Sequence, residues 1–228
     1  MQDKFKRKVR SFVRREGRLT KGQQRALEEL LPVYGLLPTE NEVLNFEAIF
    51  KNDHPVHLEI GFGNGQTLTH MATSQPDNNF VGIEVHRPGV GNALLQIETQ
   101  SLQNVRVVCE DAVEVLKDHI PDQSLSAIYI FFPDPWHKKR HHKRRIIQTV
   151  FVELLRQKMR ANAILHYATD WEAYALHMMD VMSQVEGFTN LSGEGQYSER
   201  PDYRPITKFE QRGLRLGHGV WDLIFRKA

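Results

Sequence analysis

The sequence predicts an α/β fold of the doubly wound type: a mostly parallel sheet with helices on both faces and one late antiparallel strand. Three observations carry this. From about residue 55, short apolar runs alternate with amphipathic segments of helical period, the pattern of successive βαβ units. The first run ends in Gly61-Phe62-Gly63-Asn64-Gly65, a loop of alternate glycines that opens a helix. Acidic residues then recur at the ends of the following strands, along the edge where such sheets hold nucleotide-like ligands.

Residues 1–40 read as a basic arm with a short helix, and residues 41–228 as the α/β domain. Ala26, Leu27, Leu30 and Leu31 fall at helical spacing, and Pro32 is expected to end that helix. Val43, Leu44, Phe46, Ile49 and Phe50 again sit near helical period. Strands are expected at 56–60, 80–85, 105–109, 125–132 and 163–168. Helices are expected at 66–74, 89–102, 112–119, 144–159 and 171–185. Residues 219–226, rich in aromatic and β-branched types, read as a last strand with 187–191 as its partner. A long polar loop, 193–217, separates the two.

Composition narrows the function classes. The chain has 228 residues, 40% of them hydrophobic, enough for a sizeable core. No run approaches the roughly 20 apolar residues of a membrane span. Met1-Gln2-Asp3-Lys4 is polar at once, unlike a signal peptide, so a cytoplasmic protein is the simplest reading. A single cysteine, Cys109, excludes an intramolecular disulfide and a cysteine-based zinc cluster. The eleven histidines lack the His-Glu-x-x-His spacing of a metalloprotease. Charge is unevenly spread. Residues 1–25 hold ten Lys/Arg against Asp3 and Glu16, and residues 137–145 add six cations without an acid. A net charge of +2 therefore leaves −12 on the remainder. Two basic segments on an acidic body point to a polyanionic partner.

The glycine spacing is G-x-G-x-G at Gly61, Gly63 and Gly65, not the G-x-G-x-x-G that seats a pyrophosphate on a helix N-terminus. It is similar to the cofactor loop of S-adenosylmethionine methyltransferases, whose ligand has no phosphate. Glu84, 19 residues beyond Gly65, ends the second strand where an acid can accept from ribose hydroxyls. The third strand ends in Cys109-Glu110-Asp111, placing a carboxylate for an adenine amino group. Glu59 precedes the glycines, near the methionine end of such a cofactor. The fourth strand runs into Phe132-Pro133-Asp134-Pro135-Trp136-His137-Lys138-Lys139, where two prolines fix the backbone around Asp134. A rigid acid followed by an aromatic and cations suits a site where a base meets the cofactor.

The chain closely resembles the bacterial tRNA (guanine-N7)-methyltransferase family. The matching segments are residues 10–20 (Arg-Ser-Phe-Val-Arg-Arg-Glu-Gly-Arg-Leu-Thr), the loop 59–65, Phe132 to Lys138, Ala168-Thr169-Asp170-Trp171, and Pro205-Ile206-Thr207-Lys208-Phe209-Glu210. They span nearly the whole chain in the family's order. The resemblance implies a Rossmann-like class I methyltransferase fold, with S-adenosylmethionine as cofactor and S-adenosylhomocysteine as product. It implies methylation at N7 of a guanine in the variable loop of tRNA, giving 7-methylguanosine. It implies cofactor contacts at Glu59, Glu84, Asp111 and Asp134, with Asp134 also catalytic. It implies substrate contacts at Lys138, Asp170, Thr207, Lys208, Phe209 and Glu210, and RNA contacts at Arg140, His141, His142, Lys143, Arg144 and Arg145. No metal and no membrane are expected, and the oligomeric state stays open between monomer and homodimer. Read without the resemblance, Asp170 qualifies as another strand-end acid, whereas Thr207–Glu210 reads as an ordinary polar loop. The alternatives are a nicotinamide oxidoreductase, disfavoured by the glycine spacing; a class I methyltransferase acting on another RNA, a protein or a small molecule; and a non-catalytic RNA-binding protein. The last would leave the acidic strand ends idle.

Overall fold

Alternation along each strand sends successive side chains to opposite layers, and the burial pattern sorts them accordingly. The computed structural model describes residues 11–12, 17–40, 42–207, 210–211 and 219–228. Among these residues seven strands form one sheet: β1 (Val56–Ile60), β2 (Asn79–Ile83), β3 (Val105–Val108), β4 (Leu125–Phe131), β5 (Met159–Thr169), β6 (Phe188–Asn190) and β7 (Trp221–Lys227). Their order is β3-β2-β1-β4-β5-β7-β6. The first five are parallel. β7 runs antiparallel to both of its neighbours, β5 and β6, and is the expected late reversed strand.

On one face, Leu58, Ile60, Ile128, Ile130, Leu165 and Tyr167 pack with α3 (Phe46–Phe50), α6 (Ala112–Asp118), α7 (Thr149–Lys158) and α8 (Glu172–Ser183). On the other, Phe80, Ala127, Tyr129, Phe131 and Ala168 join the layer of α4 (Gln66–Ser74) and α5 (Arg87–Thr99). Those two helices pack over β2 and β3. Over β4 the covering side chains come instead from the loop before β7. The Tyr203 ring lies 5.7 Å from that of Tyr129, and the Arg204 guanidinium lies 6.0 Å from that of Phe131.

Several expected boundaries shift by a few residues, β5 for instance starting at Met159 and not at 163, and two differences have a clear physical reason. Pro32 does not end the first helix. Thr20 and Gln23 form a reciprocal capping box, with Thr20 Oγ1 accepting from Gln23 N–H (3.2 Å) and Gln23 Oε1 accepting from Thr20 N–H (2.9 Å). Helix α1 (Lys21–Arg25) then passes into a π-helical turn, Ala26–Leu30, and α2 (Leu31–Tyr34). The Leu31 N–H reaches back five residues to the Ala26 carbonyl. That change of register puts Pro32 in the first turn of α2, where its missing N–H forfeits no bond. The second difference lies at the helix expected from residue 144. Lys139–Arg144 is a short 3₁₀ helix, Arg145 is extended (ψ 131°), and α7 starts only at Thr149.

Gly65 shows how tightly the first turn fits. It stands at φ 81°, in the left-handed region, and a Cβ there would lie 2.5 Å from Ala93 Cβ and 2.8 Å from its Cα. The third glycine thus lets α4 lie against α5. Gly65→Ala is expected to cost about 2–4 kcal/mol, from left-handed strain plus overpacking. Urea unfolding of the two proteins checks this. An unchanged midpoint would mean that α5 yields freely.

Candidate active site

Because β1 and β4 are neighbours, the chain leaving β1 crosses one face of the sheet and the chain leaving β4 crosses the other. A crevice opens between their ends, as at the switch point of any doubly wound sheet. Here it is a cleft of about 500 Å³. It gathers Gly61, Glu84, Asp111 and Asp134 from four strand ends, with Phe132 and Trp136 beside them. Ser11 and Phe12 of the basic arm also line it, a role that their sequence does not suggest.

Each acid is held differently. Glu84 is fixed by three backbone N–H groups: Oε2 accepts from Gly63 (2.9 Å), and Oε1 from Val85 (2.7 Å) and His86 (2.9 Å). With two lone pairs per oxygen, one remains on Oε2 for a ligand. Asp111 caps α6, its Oδ1 accepting from Val113 N–H at 3.0 Å. Glu59 lies within β1, 3% exposed, and its Oε2 has no hydrogen-bond partner. Burial, reinforced by the nearby Glu84 charge, pushes its carboxyl up to about 8. A buried carboxyl oxygen left without a donor suits a ligand's cationic end. Gly61 and Gly63, at φ 75° and 59°, present open space where a Cβ would stand, so a ligand can approach their backbone. The residues present therefore fit an S-adenosylmethionine-like group: the cleft offers a free lone pair on Glu84 Oε2 and open space at Gly61, and Glu59, outside the lining, has an unpartnered Oε2.

The tip of β4 is built on two residues of positive φ, Phe132 (50°) and Trp136 (47°). Phe132 N–H donates to Ala168 O of β5 at 2.7 Å. Asp134 is exposed at the mouth, and its Oδ1 accepts from Trp136 N–H at 3.0 Å. The Trp136 indole N–H donates to Ser11 O (3.0 Å), while Arg144 stacks on the ring at 3.9 Å and donates to Phe12 O (3.1 Å). This pair ties the arm to the cleft. Arg145 is only 4% exposed. Its Nε donates to Pro135 O (2.9 Å) and its guanidinium lies 4.7 Å from the Tyr174 ring, so it supports the Pro-Asp-Pro segment from beneath. Lys138, Lys139, Arg140 and Lys143 are exposed along the rim, and His141 and His142 are half-buried.

The remaining expected substrate residues lie outside the cleft lining. Asp170 is exposed at the end of β5, beside Trp171, whose ring meets His137 at 4.3 Å. Thr207 and Glu210 form a second capping box: Thr207 Oγ1 accepts from Glu210 N–H (3.1 Å), and Glu210 Oε2 accepts from Thr207 N–H (3.4 Å). Lys208 and Phe209 fall outside the described residues. Glu210 is buried, and both its oxygens are taken by Arg204. Sequence reasoning missed Arg204 and its partners. The available signal was a polar residue inside each of two apolar strands, His166 in β5 and Asp222 in β7, since buried polar groups need partners.

Glu59 generates a pH prediction. Its folded pKa, about 8, stands above the unfolded value of 4.5, so the folded state holds the extra proton. The stability linked to it is whole below about pH 4.5 and is lost as pH rises through 8. Glu59→Gln should remove that loss. Unfolding of the cofactor-free proteins should show the variant gaining on the wild type between pH 5 and 8, by on the order of 3–5 kcal/mol. Parallel pH profiles would place the Glu59 carboxylate in contact with water.

Comparison with known proteins agrees with this geometry. The family model Methyltransf_4, described as "Putative methyltransferase", matches residues 53–223. A tRNA (guanine-N(7)-)-methyltransferase of Aeromonas hydrophila is 58% identical over 225 residues, covering 99% of this chain and 94% of that protein. One from Klebsiella pneumoniae is 57% identical over 222 residues, covering 97% and 92%. Among solved structures, the 16S rRNA methyltransferase KamB superposes with a TM-score of 0.59 at 14% identity. It covers 83% of this chain and 100% of its own, and supports the fold alone. Taken with the glycine loop, the strand-end acids and the Pro133-Asp134-Pro135 tip, these matches show that the chain belongs to the tRNA (guanine-N(7)-)-methyltransferase family.

Proposed function

We propose that the protein transfers the methyl group of S-adenosylmethionine to N7 of a guanine in the variable loop of tRNA, giving 7-methylguanosine. The observation that carries the reading is the placement of Asp134. It sits at the mouth of the acid-lined cleft and is followed at once by the exposed cations of the 138–144 segment. When bound, the cofactor supplies an electrophilic methyl group.

The chain's own residues do the rest. Glu59, Glu84 and Asp111 hold the methionine, ribose and adenine ends. Guanine N7 carries an in-plane lone pair and no proton, so no base has to remove one. Orienting that lone pair contributes up to about 7–11 kcal/mol. The purine becomes cationic as the bond forms, and the Asp134 carboxylate stabilises that charge. Trp136 N–H fixes one Asp134 oxygen, which leaves the other to accept from the guanine edge and so select the base. Lys138, Arg140 and Lys143 hold phosphates. A cytoplasmic location accords with a tRNA substrate. Among the described residues no helix is long and apolar enough to cross a membrane, and no cluster of His, Cys, Asp and Glu is arranged to hold a metal.

Labelled methyl groups should pass from S-adenosylmethionine to a tRNA transcript, and cleavage chemistry specific for 7-methylguanosine should map them. Failure to label any tRNA would overturn the reading. Asp134→Asn keeps the size of the side chain and removes its charge. Its single-turnover rate at saturating tRNA and cofactor should fall about 100-fold with little change in tRNA affinity. A wild-type rate would confine Asp134 to binding. Lys138→Ala should instead raise KM for tRNA, with a defect that shrinks as salt rises.

Binding of tRNA should weaken steeply with salt, whereas S-adenosylmethionine binding should hardly respond. Arg140→Ala and Lys143→Ala should each lower the slope of log K against log salt by about 1. Arg145, buried beneath the motif, is not part of this test. An unaltered slope would mean that these two side chains face away from the RNA.

A further inference from the structure

Arg204, in the loop before β7, makes four side-chain hydrogen bonds, and nothing in the reaction as described uses it. It is 1% exposed. Nε and Nη2 donate to the two oxygens of Asp222 at 2.7 and 2.8 Å. Nη1 and Nη2 donate to the two oxygens of Glu210 at 2.7 and 2.9 Å. The same guanidinium lies 5.5 Å from the ring of Phe132, the positive-φ residue two before Asp134. Asp222 belongs to β7 and is held from its other side by His166 Nε2 of β5 at 2.7 Å. His166 Nδ1 in turn meets the Tyr203 hydroxyl at 3.0 Å. Every polar atom of this chain is satisfied with a neutral imidazole: Tyr203 donates to Nδ1, and Nε2–H donates to the carboxylate. Burial also holds His166 below its ordinary range.

A guanidinium bridging two carboxylates in a planar fork restrains both in direction and in distance. One carboxylate is anchored in the sheet. The other closes the Thr207–Glu210 capping box. The aromatic face belongs to the strand tip that carries Asp134. We propose that Arg204 is a positioning residue for the methyl-transfer reaction. By clamping Glu210 to Asp222 across Phe132, it fixes the Thr207–Glu210 capping pair relative to the strand tip that carries Asp134, so that both are in place before the base arrives. This rests on the proposed function together with the family resemblance, which implies that Thr207 and Glu210 belong to the substrate site. Arg204 itself touches neither cofactor nor base, because its five N–H groups are turned inward.

Lysine keeps the charge and loses the fork, so Arg204→Lys is the variant of choice. Amide hydrogen exchange of residues 205–211 in the free protein should quicken at least tenfold, while S-adenosylmethionine binding by calorimetry stays within about twofold of wild type. Single-turnover methylation of tRNA should fall at least tenfold at saturating cofactor. Glu210→Gln should give a similar defect, and the double variant should be no worse than either single, because both act through one contact. Should Arg204→Lys fail to fold, the joint replacement Arg204→Met, Glu210→Met and Asp222→Asn removes the buried charges together. It should regain the fold without regaining the rate. Wild-type exchange and wild-type rate in Arg204→Lys would overturn the proposal. So would loss of cofactor binding in step with methylation, which would make the network merely structural. Hydrogen exchange does not depend on the substrate. If the wild-type enzyme failed to label tRNA, the functional reading would fall while exchange at 205–211 still decided whether Arg204 holds the segment.

Discussion

The parallel pairing of β1 with β4 decides what the site can contain. It places Glu59 opposite Tyr129 in the register, two residues before the glycine loop, where its Oε2 is buried without a partner. A carboxylate there would be costly, so the group stands mostly protonated at neutral pH. Glu59 thus lies outside the cleft lining with an unpartnered oxygen, whereas Glu84, within the lining, is braced by three N–H groups.

Charge is divided in space as it is in sequence. A net +2 conceals an acid-lined cleft and a basic rim meeting at one strand tip. The interior suits a cationic sulfonium ligand and the rim a polyanion. The junction between them is short: Asp134 faces the cleft, Trp136 is stacked by Arg144, and exposed cations begin at Lys138. The two prolines and the two positive-φ residues keep that boundary narrow, since the backbone between them has little freedom to move either charge toward the other.

The strands, most helices and the glycine loop were legible because they depend on local periodicity and on residues that alone permit a conformation. The same holds for the strand-end acids, whose places follow from topology. Pro32 misled because the π-helical turn that accommodates it is a matter of hydrogen-bond register, which side-chain spacing does not record. Thr207-Lys208-Phe209-Glu210 carried a capping-box pattern that passed for a polar loop. Arg204 had no local signature at all: its partners lie 6 and 18 residues away, and only the unexplained polarity of His166 and Asp222 hinted at them. The loop's cover over Phe131 was invisible for the same reason, because a layer made of an ion network has no hydrophobic period.

The tie between the arm and the cleft has a genetic consequence. Trp136 and Arg144 grip Ser11 and Phe12 through their carbonyl oxygens. Every amino acid offers that acceptor, so these two bonds do not discriminate among side chains. Point substitutions at positions 11 and 12 leave both bonds available. What those positions can tolerate is therefore decided by how their side chains sit in the cleft lining, and not by the tie itself.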